Sequence, residues 1–518
     1  MRRIDIDRSL AQGKRDAFPN LCVSTGRAYL LLRADHQKHV IRAARECGFR
    51  YLRFHGLLDD DMGVYREDKH GNPIFGWQYV DAVYDFILDA GLRPFVEFGF
   101  MPEALASGDR TVFWEGSNVT PPNDYGKWER LIREVALHFT DRYGAEEVRQ
   151  WYFEVWNEPD QRNLFFTGDR DEYFKLYEAT ARAVRSVGPD YRVGGPATAG
   201  ANGWLAGLIG YCHARGVPLD FVSTHAYSCA PGESDAEERP PYANPDGAVP
   251  TPVWSPGTGW PQGNMYYKPD GVAGEALRAK AEVEESPMPE LPLYFTEFGL
   301  TYHYWDPLRD SYHAASYLLS RLSSVQGLAS AMSYCEISDV FEEDGPPTGH
   351  FHGGFGLMNL QGIRKPAYFA YKYLNQLGDT ALACDDRNAF ACRDGNGVQV
   401  LFWDCAVRQD AENKKYYGRD LPALPADPVK LTVAGLQPGE YELCAYRTGY
   451  RRNDAYTDYL DLAPRGTLSR EQIRRLDERN AGLPELTRKI VVAEGDGAFE
   501  WEVGMRENDV CLVTLNRM

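Results

Sequence analysis

Two stretches of the chain place a carboxylate where a buried strand ends. In residues 151–160, WYFEVWNEPD, aromatic and β-branched types alternate up to Val155 and then give way to Asn157-Glu158-Pro159. The alternation reads as a short buried strand. Pro159 has no N–H to offer a ladder and biases Glu158 toward extended backbone, so pairing is expected to stop where the carboxylate begins. The second stretch, LYFTEFG over residues 293–299, repeats the design and carries Glu297. Two facing carboxylates are what glycoside hydrolysis needs: one acid protonates the leaving oxygen while the other attacks the anomeric carbon or activates water. A single glutamate at a strand end is most often a solvated loop residue or the partner of an arginine. Two at opposing strand ends point to chemistry.

The elements that must position them follow one grammar from residue 20 to about 335: an amphipathic helix, a glycine, then a short apolar strand. Val40, Ile41, Ala44 and Cys47 share a helical face before Gly48 and the strand 51–54. The same pattern precedes Gly91 and 94–98, Gly144 and the Trp151 strand, Gly188 and 192–195, Gly216 and 221–224, and Gly327 and 329–334. Glycine just past a helix supplies the left-handed turn that returns the chain to the sheet. With 20–24 as first and 293–296 as seventh, eight strands alternate with helices, which requires a parallel sheet. The pattern predicts a closed (β/α)8 TIM barrel over residues 20–375. A doubly wound open sheet is the rival, but no glycine-rich phosphate fingerprint follows any strand.

In such a barrel the residues past the C-terminal strand ends converge on one mouth. These are His55 after strand two, Asn157 and Glu158 after four, His225 and Tyr227 after six, Glu297 after seven, and Glu336 and Asp339 after eight. Glu154, one step inside its strand, reads as a buried support, with Arg53 as a candidate partner. His55 and His225 lack the paired spacing of a metal site, and His350-Phe351-His352 lies in a Gly-rich loop without a third ligand, so neither metal nor cofactor is expected. Tyr302, Tyr304 and Trp305 either belong to the core or form the aromatic platform a sugar ring prefers.

Beyond about residue 376 short strands between turn residues replace the helix–strand alternation, which predicts an accessory β-sandwich over 376–518. One inserted helix is expected there, opened by Ser469 with Gln472 as a capping box. Residues 1–19 are expected to pack on that domain. The longest irregular stretch, 228–270, follows strand six, and its Trp254, Trp260, Tyr266 and Tyr267 are too many aromatics for a plain linker.

The 518 residues, 43% apolar and 25% charged, describe a globular chain of two domains. A net charge of −19 argues against nucleic acid or an anionic membrane as partner. The charged N-terminus has no apolar signal region and no run reaches membrane-spanning length, so a cytoplasmic address is expected. Ten scattered cysteines without a CxxC pair fit free thiols there; a disulfide among Cys384, Cys392 and Cys405 has no support.

The chain resembles glycoside hydrolase family 39, which holds β-xylosidases and α-L-iduronidase, and is closer to the bacterial β-xylosidases. The matching stretches are GFRYLRFHGLLDDDMGVY (48–65), DAVYDFILDAGLRPFVEFGFMPEALAS (81–107), HFTDRYGAEEVRQWYFEVWNEPD (138–160), DFVSTHAY (220–227), YFTEFG (294–299) and SDVFEEDGPPTGHFHGGFGLMN (338–359). The resemblance implies a retaining mechanism with Glu158 as general acid/base and Glu297 as nucleophile. It places Asn157 on the sugar 2-hydroxyl, and His55, His225, Tyr227, Glu342, Glu343 and His352 around the non-reducing sugar; apart from the resemblance, Trp305 is a candidate platform because its aromatic cluster directly follows Glu297. Cys335 stands where the family usually has tryptophan, and the 228–270 loop is atypical. The expected activity is exo-hydrolysis of xylo-oligosaccharides to D-xylose by a chain that needs no cofactor. Another specificity on the same machinery (β-glucosidase, β-galactosidase, α-L-arabinosyl hydrolase) or a non-catalytic sugar-binding protein are the alternatives, and a homo-oligomer is left open.

Overall fold

The computed structural model describes residues 1–231, 265–347, 349–462, 467–493 and 497–518. Eight parallel strands close into a barrel: β1 (Cys22–Arg27), β2 (Tyr51–His55), β3 (Arg93–Phe98), β4 (Tyr152–Val155), β5 (Arg192–Thr198), β6 (Phe221–Tyr227), β7 (Leu293–Gly299) and β8 (Ala331–Tyr334). Each pairs with the next in chain order and β8 returns to β1. The (β/α)8 expectation is met, with strand ends displaced by one to three residues.

Several helices close on the expected glycine. Gly48 takes φ 72° after the helix Ala34–Cys47 and returns its N–H to Ala44. Gly188 differs: it is extended, at φ −134°. Pro189 comes next in the chain, and a residue before proline is pushed toward β geometry whatever its identity.

The strands' period of two sorts the barrel interior into layers. At the bottom Cys22, Phe95, Tyr152, Phe221, Tyr294 and Ala331 pack as a closed apolar plug. Two residues further along β2, β3 and β4 stand Arg53, Glu97 and Glu154, all fully buried. The outward residues, among them Leu52, Val96, Phe153 and Phe295, join the main core beneath the helices.

Two sheets form the C-terminal architecture. Arg2–Asp7, Pro425–Ala434 and Phe499–Arg506 make a three-stranded sheet, in which the N-terminal strand runs parallel to its neighbour. A seven-stranded sheet runs from Ala11–Lys14 through Thr380–Leu382 to the edge strand Leu486–Val492. Ile4, Leu431, Phe402, Leu443 and Val513 fill the space between them. The helix Arg470–Arg479 carries the expected capping box of Ser469 and Gln472. Asn413–Tyr417 and Ala455–Leu462 are helical as well, so a single inserted helix was too few. The first is barely a turn; the second, AYTDYLDL, sets Tyr456 and Tyr459 three apart, as on one helix face, and starts where Asp454 accepts the N–H of Thr457.

Of the 228–270 stretch, Cys229–Pro231 and Met265–Tyr267 form an antiparallel ribbon at its two ends. Residues 232–264, with Trp254 and Trp260, lie outside the described residues. All ten cysteines are free.

Behind the barrel mouth Lys365 is completely buried between Asp310 (2.7 Å) and Asp339 (2.7 Å) and also donates to the Gly354 carbonyl. The two aspartates receive the N–H groups of Gly353 and Gly356, so this ion triad fixes the loop that brings Phe355 to the mouth. Asp339, expected as a mouth acid, therefore serves the scaffold. Lys365→Met should destabilise the barrel by about 3–5 kcal/mol, because it leaves two buried carboxylates without their cation. Denaturant unfolding monitored by tryptophan fluorescence checks this; an unchanged midpoint would refute the triad's role.

Candidate active site

Just past β4 two residues have left-handed backbone, Trp156 (φ 70°) and Glu158 (φ 45°). The extended conformation expected for Glu158 is not what forms. Its N–H is held by the Ala197 carbonyl at 2.8 Å and its own carbonyl accepts Gln161 N–H at 3.0 Å, which turns the chain sharply at the acid. Strain of this kind persists only where the surroundings over-determine it. Here the Trp156 indole also donates to the Phe165 carbonyl.

β7 uses a different device. Thr224 pairs with Phe295, but the next residue of β6, His225, pairs with Glu297, so Thr296 is an extra residue in β7. Such a bulge re-aims the side chains beyond it. Phe295 and Phe298 both face the outer core, and Glu297 turns into the mouth instead of standing on the face of Phe295.

The two acids meet at His225. Its Nδ1 lies 2.7 Å from Glu158 Oε1 and 3.6 Å from Glu297 Oε2. One oxygen of each carboxylate and this nitrogen all lie within 4.8 Å of one another. Tyr227 donates to Glu297 Oε2 at 2.9 Å, while Oε1 takes Arg53 Nη1 at 3.0 Å and His55 Nε2 at 3.2 Å. Arg53 also donates to Glu154 (2.6 Å) and to the Asn157 side-chain carbonyl (3.1 Å), and its Nη2 forms an ion pair with Glu97 at 2.8 Å. The bond to Asn157 fixes that amide so that its Nδ2 is the group left to donate.

Burial alone would raise Glu297, but His225, His55 and Arg53 overcome it and hold the carboxyl well below its ordinary range. Burial likewise opposes a charged His55; Glu97, together with contacts to Glu297, reverses this and keeps the imidazole protonated well above its usual range. His225 is raised in the same way by Glu297 and Glu158 against its burial. Burial pushes Glu343 well above the carboxylate range despite His55 and Tyr304, and pushes Glu336 up to about 7. Glu158, His225 and Glu297 are close enough to share a divalent ion, yet the positive charge of Arg53 and His55 already on Glu297 opposes one.

A cavity of about 300 Å³ opens over the pair. Of the residues expected there, Glu158, Glu297, His55, Tyr227 and Glu343 line it, and Asn157 and His225 stand directly behind the acids. Tyr304 lines it too and donates to Glu343. Glu342 instead turns to Arg33. His352 and Trp305 border a small neighbouring crevice, Trp305 on a left-handed turn (φ 58°). Glu336 is buried under Cys335 and the Gly26 N–H. Sequence reasoning missed Glu97 and did not give Arg53 its four partners; a lone acid inside the strand PFVEF was the available signal. It also missed the wall beside Glu158, formed by Gln161, Leu164 and Phe165.

A parallel barrel with a close carboxylate pair at its C-terminal mouth defines a glycoside hydrolase. The family model for glycosyl hydrolases family 39 matches residues 2–238 and 270–494, and the chain belongs to that family. It is 41% identical to the β-xylosidase of Geobacillus stearothermophilus over 399 residues, covering 75% of this chain and 74% of that one. The β-xylosidase of Caldicellulosiruptor saccharolyticus is 34% identical over 488 residues, covering 92% and 90%. The crystal structure of a monomeric β-xylosidase from Caulobacter crescentus CB15 superposes with a TM-score of 0.91 at 38% identity, covering 100% of both chains.

The depressed Glu297 has a signature in stability. A carboxyl whose folded pKa lies below its unfolded value, about 4.3, contributes stability above that pH and loses it as pH falls through the folded value. The difference in melting temperature between the native protein and Glu297→Gln should therefore decrease as pH is lowered from about 5 toward 3. A pH-independent difference would mean that the carboxyl is not held ionised.

Proposed function

We propose that the chain is an exo-acting, retaining β-1,4-xylosidase, with Glu297 as nucleophile and Glu158 as acid/base. The observation that carries this reading is the closeness of the two carboxylates. One oxygen of each lies within 4.8 Å of the other, which favours the separation of about 5–5.5 Å between carboxyl groups in retaining enzymes over the about 6.5–9.5 Å of inverting ones. The sugar identity is taken from the related β-xylosidases, and a small cavity walled by Tyr304, Phe341, Phe355 and Glu343 supports action on one terminal unit.

In the first step Glu297 Oε2 attacks the anomeric carbon while Glu158 gives its proton to the departing oxygen. Asn157 Nδ2 donates to the 2-hydroxyl, where hydrogen bonds strengthen in the transition state. In the second step the Glu158 carboxylate takes a proton from water, which attacks the same carbon and releases Glu297. His225, against both acids, keeps the two carboxylates close despite their mutual repulsion. Free thiols throughout the chain support work in a reducing compartment, where imported xylo-oligosaccharides are finished.

Glu297→Ala should lower kcat on every xyloside by more than about 10⁴-fold, since no covalent intermediate can form. Glu158→Ala should cost about 10²–10⁴-fold on xylobiose and far less on aryl xylosides with good leaving groups. Equal losses on both substrates would remove Glu158 from the acid role. Proton NMR of the first turnover should show β-xylose, and a 2-deoxy-2-fluoro xyloside should leave its sugar on the peptide containing Glu297. Initial α-xylose would overturn the retaining mechanism.

A further inference from the structure

β3 contributes a carboxylate that the double displacement does not use. Glu97 is fully buried two residues above Phe95 of the apolar plug. Its Oε2 faces two donors, His55 Nδ1 at 2.7 Å and Arg53 Nη2 at 2.8 Å. The same two cations meet again on the far side, at Oε1 of Glu297. Alternate residues of one strand thus bridge two carboxylates, and each nitrogen of the His55 ring faces one of them. A neutral imidazole has a single N–H and can donate to one carboxylate; only the doubly protonated ring donates to both.

We propose that Glu97 is a positioning residue for the nucleophile: it keeps His55 doubly protonated and so ties down Oε1 of Glu297, leaving Oε2 as the attacking atom. The proposal rests on the nucleophile role assigned to Glu297 above. When Oε2 bonds to the anomeric carbon, Oε1 becomes the carbonyl oxygen of the ester and retains both donors. When water breaks that bond, the same donors receive the returning negative charge.

The surroundings of His55 leave Glu97 as the decisive partner. Glu297 faces the ring from β7, Glu343 stands 4.0 Å away and Glu336 lies near it after β8, and Arg53 opposes its charge from the same strand. Phe100 and Phe113 close the remaining sides without a polar group. Of the acids, Glu343 and Glu336 are shifted toward their neutral forms, and Glu297 loses its charge in the intermediate. Glu97 is the acid hydrogen-bonded to the ring nitrogen on the side away from Glu297, and it takes no part in the covalent step.

Glu97→Gln keeps the shape and removes the charge. In the folded variant, kcat on an activated aryl xyloside should fall about 10–100-fold with KM within about threefold. The acid limb of the pH profile should move up by about one unit, because a neutral His55 no longer holds Glu297 ionised. A purely structural Glu97 would lower the melting temperature and leave both the rate per folded molecule and the acid limb where they are, which would overturn the proposal. If the variant does not fold, the native enzyme decides. With ¹⁵N-labelled histidine, assigned through His55→Asn, both ring nitrogens of His55 should be protonated at pH 7. A bare ring nitrogen would refute the assignment. A native enzyme inactive on every xyloside would instead refute the function proposed above, and the ring-proton measurement would still judge Glu97.

Discussion

The structure depends on one guanidinium. Arg53 stands in the middle of a barrel, sealed from below by aromatic rings, and meets Glu97, Glu154, Glu297 and Asn157. Burying a cation costs several kcal/mol unless its partners are well placed. Those partners come from β3, β4, the turn after β4, and β7, so the register of three strands against β2 is fixed by a single side chain. An Arg suits this where Lys would not, because its planar fork presents five donors in set directions. The carboxylates in turn depend on it: with Arg53 absent, three acids would share the barrel centre with only His55 and His225 to balance them.

Local backbone distortions then convert a regular scaffold into a site. A strict eight-stranded ladder would send Glu297 outward with Phe295; the extra residue Thr296 turns it inward. On the other side, two left-handed residues bracket Asn157 and bring Glu158 back over the mouth. Each left-handed residue is locally unfavourable by about 1–3 kcal/mol. The distortions stand because the β4 and β7 segments are pinned by packing on both sides, and because both carboxylates are drawn to the same nitrogen of His225.

The barrel was legible because helix, glycine and strand recur at regular spacing, and the acid pair because both glutamates come after a run of buried residues. The features that stayed hidden depend on geometry that a period of two does not carry. Strict alternation gives no warning of the bulge at Thr296. Pro159 argues for an extended Glu158, and a backbone hydrogen bond to Ala197 from a neighbouring strand wins. Glu342 and Glu343 are adjacent, and only the path of the chain decides that one meets Arg33 and the other the cavity. Glu97 was readable in principle as a charge among apolar strand neighbours, but its partners His55 and Arg53 lie far earlier in the chain, on another strand.

Cys335, small and buried, shows how this side of the cavity is made. Cys335 packs with Tyr304, Phe341 and Phe355, which come from the segments after β7 and β8. Phe355 is clamped from behind by Arg309, whose guanidinium lies 3.8 Å over its ring and also donates to the carbonyls of Thr301 and Gly353. Gly353 is itself held by Asp310 of the Lys365 triad. The Phe355 ring that lines the cavity is therefore positioned by a chain of buried charges rather than by a side chain of the barrel strand. A surface assembled from the segments after β7 and β8 has a consequence. Its shape is set by how two loops are anchored, so residues away from the cavity, Lys365 and Arg309 among them, bear on that shape.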